Sequence, residues 1–426
     1  MYSTVSMSHV ILFRTDYFLG AIKNLRNIRF EEIIKDAILE FYECILYKNL
    51  TREDCYSIIR NQIGSSDYEF LNWSMVPLEN RPDKTLNLFA KYLPTTGDTT
   101  RSLAEASFKK EVFFYDTFLS KIKSLGLEEI TDFAPNCYFC RSDDVLIFED
   151  LTLMNYRSVN KTEPFSYDLM SLIIKQLAKL HASSLLYEEK ISEKRGKSFR
   201  IDHKYKQYLN EINLHINETD GTDIPKKMTM ETFKEKVQAE YDAFLNVAVK
   251  KSGRFRNVLC QGDFWCSNLL FKMEGGTPVD CRILDYQLLR YLPPAHDLLF
   301  LIYVNSDKET RTKHMQQLLE EYYTQLSKIM KKYGHDLNEI YTYEEFLDSC
   351  EYMKPSAILI ASLYLPVVLC PDQKVQDLFR DEKKFEYIFT VDRRELLEDL
   401  YHEGSFRQRI RGIVEDIYDI CESKLV

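Results

Sequence analysis

The segment that decides the fold reads CQGDFWCSNLLF from 260 to 271 and, after a gap, ILDYQ from 283 to 287. It places an acid at Asp263, an amide at Asn268 and a second acid at Asp285. Each of these residues stands close to an apolar run of the kind that forms short buried strands. An acid, an amide and a second acid in that order are the oxygen-bearing side chains that a phosphate-handling site requires.

Three apolar runs around these residues predict short strands at 258–260, 269–271 and 282–284. We expect the first two strands to form a hairpin around a tight loop, with the third strand leading to the last acid. Such a hairpin would aim the three polar side chains at one point.

Phosphoryl transfer needs a carboxylate that orients and deprotonates a hydroxyl, oxygen ligands for magnesium, and cations for the phosphates. In that scheme Asp263 is the catalytic base, and Asn268 and Asp285 are the metal ligands. The alternative interpretation is that these residues lie in surface turns and satisfy local backbone groups. Their joint spacing and the flanking strands favour the site.

The segment from Gln261 to Asn268, the triplet at 285–287 and the run PAHDLL at 294–299 resemble the ecdysteroid-kinase-like family. This family is a branch of the small-molecule kinases that includes choline and aminoglycoside kinases. Its members typically read HGDLWxxN, then DFQ, then PxxDL, and this chain keeps every acid and the amide but has Gln261 in place of the histidine. The resemblance runs from about residue 50 to about residue 400.

The resemblance implies an α+β, two-lobed protein-kinase-like fold. The small lobe, with an antiparallel sheet, is expected at residues 1–150, and the mostly helical large lobe, with the catalytic loop, magnesium site and acceptor pocket, at 151–426.

A kinase-like fold also requires a lysine and a glutamate in the small lobe. The alternating run at 86–92 predicts a half-buried strand that directs Lys91 inward, towards the α and β phosphates of ATP. The apolar spacing at 108–119 is helical, and the resemblance makes Glu111 the candidate that holds Lys91 by an ion pair. Either residue alone would be interpreted as a solvated surface residue, whereas the downstream motif favours the pair.

The remaining ATP-binding residues follow from the resemblance. The apolar strand at 144–151 is expected to be the hinge along the adenine, and the loop at 52–57 is expected to cover the phosphates. This loop has Arg52 where the family usually has a glycine, whose backbone approaches phosphate more closely. In addition to Lys91, the predicted ATP-binding residues are Glu53, Ser57, Phe148, Glu149 and Leu151.

The resemblance assigns Gln261 and Asp297 to structural support of the catalytic loop. Glutamine can donate and accept hydrogen bonds as histidine does, but on a more flexible stem. Asp297 is expected to brace the loop from beneath, and His181 to be a core histidine.

Composition fits a two-domain enzyme without identifying it. The 426 residues are 45% hydrophobic, and 56 basic against 66 acidic residues give a net charge of −10, which argues against a nucleic-acid partner. No run approaches the ~20 apolar residues of a membrane span. Together with the lack of a secretory signal, this predicts a cytoplasmic monomer with reduced cysteines. The CxxC of Cys137 and Cys140 has no second pair, so a packing role is expected.

The sequence and the resemblance together predict a kinase that uses ATP and Mg²⁺. The expected acceptor is a hydroxyl of an ecdysteroid or a similar apolar, sterol-like or xenobiotic alcohol, in an insect-like cytosol. Two alternatives stay open. One is a catalytically weak kinase-fold protein that sequesters a hydrophobic ligand, and the other is a choline- or aminoglycoside-type kinase with an acidic acceptor pocket.

Overall fold

The computed structural model describes residues 68–71, 74–77, 88–93, 98–142, 144–209, 250–371, 400 and 403–423. The predicted phosphate-covering residues Glu53 and Ser57, and Arg52 beside them, lie outside these ranges. None of the helices within the ranges combines the length and the apolar character that crossing a membrane demands.

The strands before residue 150 are antiparallel. They are β1 (Tyr68–Leu71), β2 (Ser74–Pro77), β3 (Leu88–Tyr92), β4 (Cys137–Arg141) and β5 (Val145–Glu149). β1 pairs with β2, and β3, β5 and β4 form, in that order, the small-lobe sheet. Because side chains alternate along a strand, Phe89 belongs to the main core while Ala90 packs in a smaller cluster on the opposite face.

A long aromatic helix packs against one face of the small-lobe sheet. It begins as α1 (Asp98–Val112), continues as a π-helical segment (Phe113–Leu119) and ends as α2 (Ser120–Ser124). Tyr115 from the π-helical segment meets Phe148 of β5 with 4.9 Å between ring centroids. The predicted helix over 108–119 is therefore confirmed, although its second half has the wider turn that often occurs at functional sites.

The chain after residue 150 is mostly helical. Its helices are α3 (Tyr167–Arg195), α4 (Ile201–Leu209), α5 (Ala295–Asn305), α6 (Lys308–Lys332), α7 (Leu337–Ile340), α8 (Tyr343–Val368) and α9 (Gly404–Ser423). Every residue of α5 is buried, and most of them are apolar, as expected for a helix in the core. α3 starts at Ser166, whose hydroxyl accepts a bond from Leu169 N, and ends at Gly196 in a left-handed conformation.

Short strands lie among these helices. They are β6 (Tyr156–Arg157), β7 (Val258–Cys260), β8 (Leu269–Glu274), β9 (Thr277–Ile283) and β10 (Arg290–Leu292). The predicted α+β fold, with an antiparallel sheet followed by a mostly helical part, is confirmed. The lobe boundary at residue 150 stays a prediction.

The predicted hairpin around Asp263 is wrong, although its two strands are confirmed as β7 and β8. β7 pairs with β10, with Cys260 opposite Arg290, and β8 pairs with β9, with Leu269 opposite Ile283. The loop between β7 and β8 carries a 3-10 turn at Cys266–Asn268 and moves the chain from one pair of strands to another. Periodicity along the chain predicts a strand, but its partner is chosen by long-range packing.

Candidate active site

The loop after β7 turns through Gly262, which has a φ of +82°. A Cβ atom at this position would lie 2.4 Å from the backbone oxygen of Leu288. Only glycine combines a left-handed conformation with so close an approach of another backbone segment. The glycine therefore sets the direction in which the next residue, Asp263, leaves the strand.

A buried carboxylate on α5 holds the start of this loop. Asp297 Oδ2 accepts a hydrogen bond from Gln261 N at 2.7 Å, and Asp297 Oδ1 accepts one from Gly262 N at 3.0 Å. His181 lies on the other side, with Nε2 at 3.3 Å from Asp297 Oδ2 and Nδ1 at 2.6 Å from the Tyr322 hydroxyl. The structure thus places Asp297 beneath the loop and His181 in a satisfied core position.

The side chain of Gln261 joins the two acid-bearing loops. Its Oε1 accepts a bond from Asp263 N at 2.7 Å, and its Nε2 donates to Leu284 O at 3.0 Å and to Asp285 O at 2.8 Å. The two nitrogen atoms of a histidine could not supply this set, because one acceptor and two N–H donors are needed at once. At the position where the resemblance predicts a histidine, the amide of Gln261 therefore bonds both loops.

Asp263 is buried and surrounded by donors. Asn268 Nδ2 donates to the backbone oxygen of Asp263 at 3.0 Å and to its Oδ2 at 2.9 Å, and the Tyr364 side chain also hydrogen-bonds the carboxylate. Burial, and next the negative charge of Asp285, raise the pKa of Asp263 to about 6. A general base works best when its pKa approaches the working pH, so this shift suits proton transfer.

Asp285 occupies an unusual backbone conformation. Its φ is +59°, in the left-handed region that residues other than glycine seldom adopt. Lys91 Nζ lies 3.1 Å from its Oδ1, and Gln287 Nε2 donates to its Oδ2 at 3.0 Å. Strained conformations of this kind persist where surrounding contacts fix them, and they concentrate at functional sites.

Lys91 connects the small lobe with the Asp285 loop. From β3 it reaches Glu111 on α1, at 2.5 Å from Nζ to Oε2, as well as Asp285. Burial alone would lower the pKa of Lys91, but the carboxylates of Asp285 and Glu111 outweigh it and raise that pKa. The structure therefore brings together Lys91, Glu111 and Asp285, and it keeps the lysine charged.

Two more contacts join the aromatic helix to the segment after Asp285. The ring of Phe114 stacks on Tyr286, with 3.6 Å between centroids and 9° between planes. Lys110 Nζ donates to Leu289 O at 3.2 Å. Because Tyr286 is the residue after Asp285, the position of α1 and that of Asp285 depend on each other.

The predicted adenine residues lie on β5 and just after it. Phe148 and Leu151 are buried, while the Glu149 carboxylate accepts bonds from Asn136 N at 2.9 Å and Asn136 Nδ2 at 3.0 Å. The carboxylate of Glu149 is thus already bonded within the small lobe. Contact of these three residues with adenine stays a prediction.

Tyr364 is not among the predicted catalytic, ATP-binding or metal-binding residues, and its side chain bonds the carboxylate of Asp263. It lies on α8, where its ring meets Phe300 of α5 with 4.9 Å between centroids. A tyrosine in an apolar helical run gives no signal of its own, because most such residues are core. Only the packing of α8 on α5 identifies it.

Comparison with known proteins gives one family match. The sequence model of the Ecdysteroid kinase-like family matches residues 74–335. No curated protein matches the chain.

Among solved structures, the chain is similar to an aminoglycoside phosphotransferase from Alicyclobacillus acidocaldarius, with 12% identity, a TM-score of 0.38, and 88% of this chain and 97% of that chain covered. It is also similar to an ethanolamine kinase from Plasmodium vivax, with 11% identity, a TM-score of 0.36, and 86% and 96% covered. Superpositions this loose say nothing about the substrate.

Proposed function

Because this chain belongs to the ecdysteroid kinase-like family, we propose that it transfers the γ phosphate of ATP to a hydroxyl group of an apolar small molecule, with an ecdysteroid as the first candidate. One observation carries the proposal. Lys91 contacts both Glu111 and Asp285, so that a single buried cation connects the small-lobe sheet, the aromatic helix and the second acid of the motif. That arrangement is the one a kinase uses to hold phosphates beside its metal ligands.

In the proposed reaction Asp263 orients the acceptor hydroxyl and takes its proton. The carboxylate is fixed by Asn268 and by the backbone bond from Asp263 N to Gln261 Oε1, so that little reorganisation is needed when the proton moves. Lys91 binds the phosphates of ATP, and its ion pair with Glu111 holds the ammonium group in place. Burial excludes water from the base.

Asn268 and Asp285 fit a magnesium ion by their chemistry. The amide nitrogen of Asn268 is bonded to Asp263, which leaves its side-chain carbonyl oxygen as the atom for a hard cation. Leu284 N donates to Asn268 O at 2.8 Å, so the residue before Asp285 is tied to Asn268. When bound, magnesium supplies positive charge that neutralises the phosphate oxygens.

We propose that the acceptor approaches Asp263 along α8. Tyr364, whose ring packs on the buried Phe300, gives that side an aromatic wall, which suits the flat, apolar body of a ring system. Aromatic rings also attract quaternary ammonium groups, so the same wall keeps a choline-type acceptor as the second candidate.

The test measures phosphotransfer from Mg·ATP to a panel of acceptors, which are an ecdysteroid, phenolic alcohols, choline, ethanolamine and kanamycin. The two readouts are the release of ADP and the mass of the phosphorylated product. We expect acceptor-dependent turnover with the ecdysteroid or a phenolic alcohol, at about 1–100 s⁻¹ for a good substrate. Turnover confined to choline, ethanolamine or kanamycin would show that the acceptor is cationic and would exclude the apolar acceptor proposed above. ATP binding without any phosphorylated product would favour the catalytically weak binding protein.

Replacing Lys91 with methionine should lower kcat/KM for ATP by about 10²–10³-fold, because a preorganised cation for the phosphates is lost. Glu111→Gln should have a smaller effect, since Lys91 keeps its contact with Asp285. Steady-state kinetics of both variants and of the double variant measure the coupling between Lys91 and Glu111.

Lys272→Met is the matched control, because Lys272 is also on a strand but its ammonium group lies 3.6 Å from the exposed Glu274. Equal losses at Lys91 and Lys272 would contradict the role of Lys91.

A further inference from the structure

The thiols of Cys137 and Cys140 lie next to each other in the small-lobe sheet. Their Sγ atoms are 3.3 Å apart, and the Cys137 thiol is also 3.3 Å from Phe139 O. Side chains three residues apart on a regular strand point to opposite faces. Here β4 has a bulge between Cys137 and Phe139, which turns both thiols to the same side.

The register identifies that side. Cys137 lies opposite Phe148 and Cys140 opposite Leu146, and Leu146 lies opposite Lys91. Directly opposed residues of antiparallel strands share a face. Both cysteines therefore lie on the face of the small-lobe sheet that carries Lys91.

These two cysteines also differ from the other cysteines in the described ranges by their exposure. Cys137 and Cys140 are half-buried, whereas the remaining described cysteines are buried. A half-buried thiol can meet a small oxidant, while a buried thiol is protected from it.

We propose that Cys137 and Cys140 form an oxidisable dithiol, which hydrogen peroxide closes to a disulfide on the Lys91 face of the small-lobe sheet. The sulfur of Cys140 attacks one peroxide oxygen; an S–O bond forms, the O–O bond breaks, and one water leaves. The sulfur of Cys137 then attacks the sulfenic sulfur of Cys140; the S–S bond forms and the hydroxyl leaves with the thiol proton as a second water. Two thiols lose two electrons and two protons, and hydrogen peroxide becomes two waters.

The structure favours a reversible disulfide over a stabilising one. The sulfurs must approach from 3.3 Å to the ~2.05 Å of a disulfide, a movement that the side chains and β4 have to supply. The ring that closes holds only two intervening residues, and cross-links over short loops constrain the unfolded chain least. Because the Cys137 thiol donates a hydrogen bond to Phe139 O, we assign the first attack on peroxide to Cys140.

The test is peptide mass mapping of the native protein after brief treatment with hydrogen peroxide. The protein is then unfolded in N-ethylmaleimide and cut with trypsin, which releases Ser124–Arg141 with both cysteines and no third one. We expect this peptide to lose two hydrogen atoms and to carry no maleimide. Dithiothreitol given before the maleimide should restore two labelled thiols.

Two controls accompany the measurement. The peptide Met273–Arg282 contains only the buried Cys281 and should keep its single maleimide after peroxide. In Cys140→Ser, Cys137 has lost its partner and should stay a thiol that maleimide labels. Two maleimides on Ser124–Arg141 of the treated wild type, or equal oxidation of Cys137 with and without Cys140, would overturn the proposal.

Discussion

Asp263→Asn should lower kcat by about 10²–10⁴-fold, because an amide cannot accept the proton of the acceptor hydroxyl. The substitution keeps the shape of the side chain and an oxygen for the Asn268 amide. We therefore expect KM for ATP to change little. Asp348→Asn is the matched control, since the Asp348 carboxylate is exposed and pairs with Arg254 at 3.1 Å on the surface. Acceptor-dependent ADP release measures kcat, and a value equal to that of the wild type would exclude Asp263 as the base.

The same variant should be more stable than the wild type at neutral pH, measured without nucleotide or magnesium. Burial raises the pKa of Asp263 from 3.8 to about 6, so ionising this group opposes folding. This cost is absent below pH 3.8, the pKa of the group in the unfolded chain. It grows as the pH rises from 3.8 to about 6 and reaches its full size above about 6. The Tm of Asp263→Asn should exceed that of the wild type at pH 8 and approach it near pH 4. A lower Tm at pH 8 would point to a structural role of the carboxylate.

Gly262→Ala should affect both stability and catalysis. The alanine would take a φ of +82° and place Cβ 2.4 Å from Leu288 O, a backbone atom that cannot rotate away. Left-handed strain costs about 1–2 kcal/mol and overpacking a further ~1–3 kcal/mol, so we expect a loss of about 2–5 kcal/mol. A shift of about an ångström in Asp263 should also lower kcat about 10²-fold.

Gly276→Ala is the matched control for this prediction. Gly276 has a φ of +85°, but a Cβ there would meet nothing within 4 Å. It should therefore show the left-handed strain alone, about 1–2 kcal/mol, with unchanged kcat. Urea midpoints and m-values separate the two variants. Equal losses of stability in both would mean that the contact with Leu288 contributes nothing.

The strands, the aromatic helix and the polar residues of the site were largely predictable from the sequence. Val258–Cys260 and Leu269–Phe271 are apolar runs, and they lie in β7 and β8. The alternation before Lys91 predicted β3, which begins at Leu88. These predictions depend on local periodicity, which side-chain geometry links directly to secondary structure. The catalytic and metal-binding roles of the residues stay predictions.

Strand partners and the contacts of individual atoms were not predictable. The hairpin around Asp263 was wrong, because β7 and β8 each pair with a strand further along the chain. The three bonds of Gln261 could not be predicted either, since two of them reach backbone oxygens beyond β9. Each of these contacts depends on which segments of the chain pack together, and a local sequence pattern does not determine that packing.

The sequence by itself determined which residues could handle phosphate and magnesium, because an acid, an amide and an acid stand at strand ends in a fixed order. The tertiary structure alone decided that Lys91 meets Asp285 at 3.1 Å, that Tyr364 reaches Asp263, and that Cys137 and Cys140 meet across a bulge. The reason is physical: periodicity acts over a few residues, whereas the contacts of Lys91 and Tyr364 arise only when distant elements bury a common core, and the bulge that brings the two cysteines together lies in the pairing of β4 with β5.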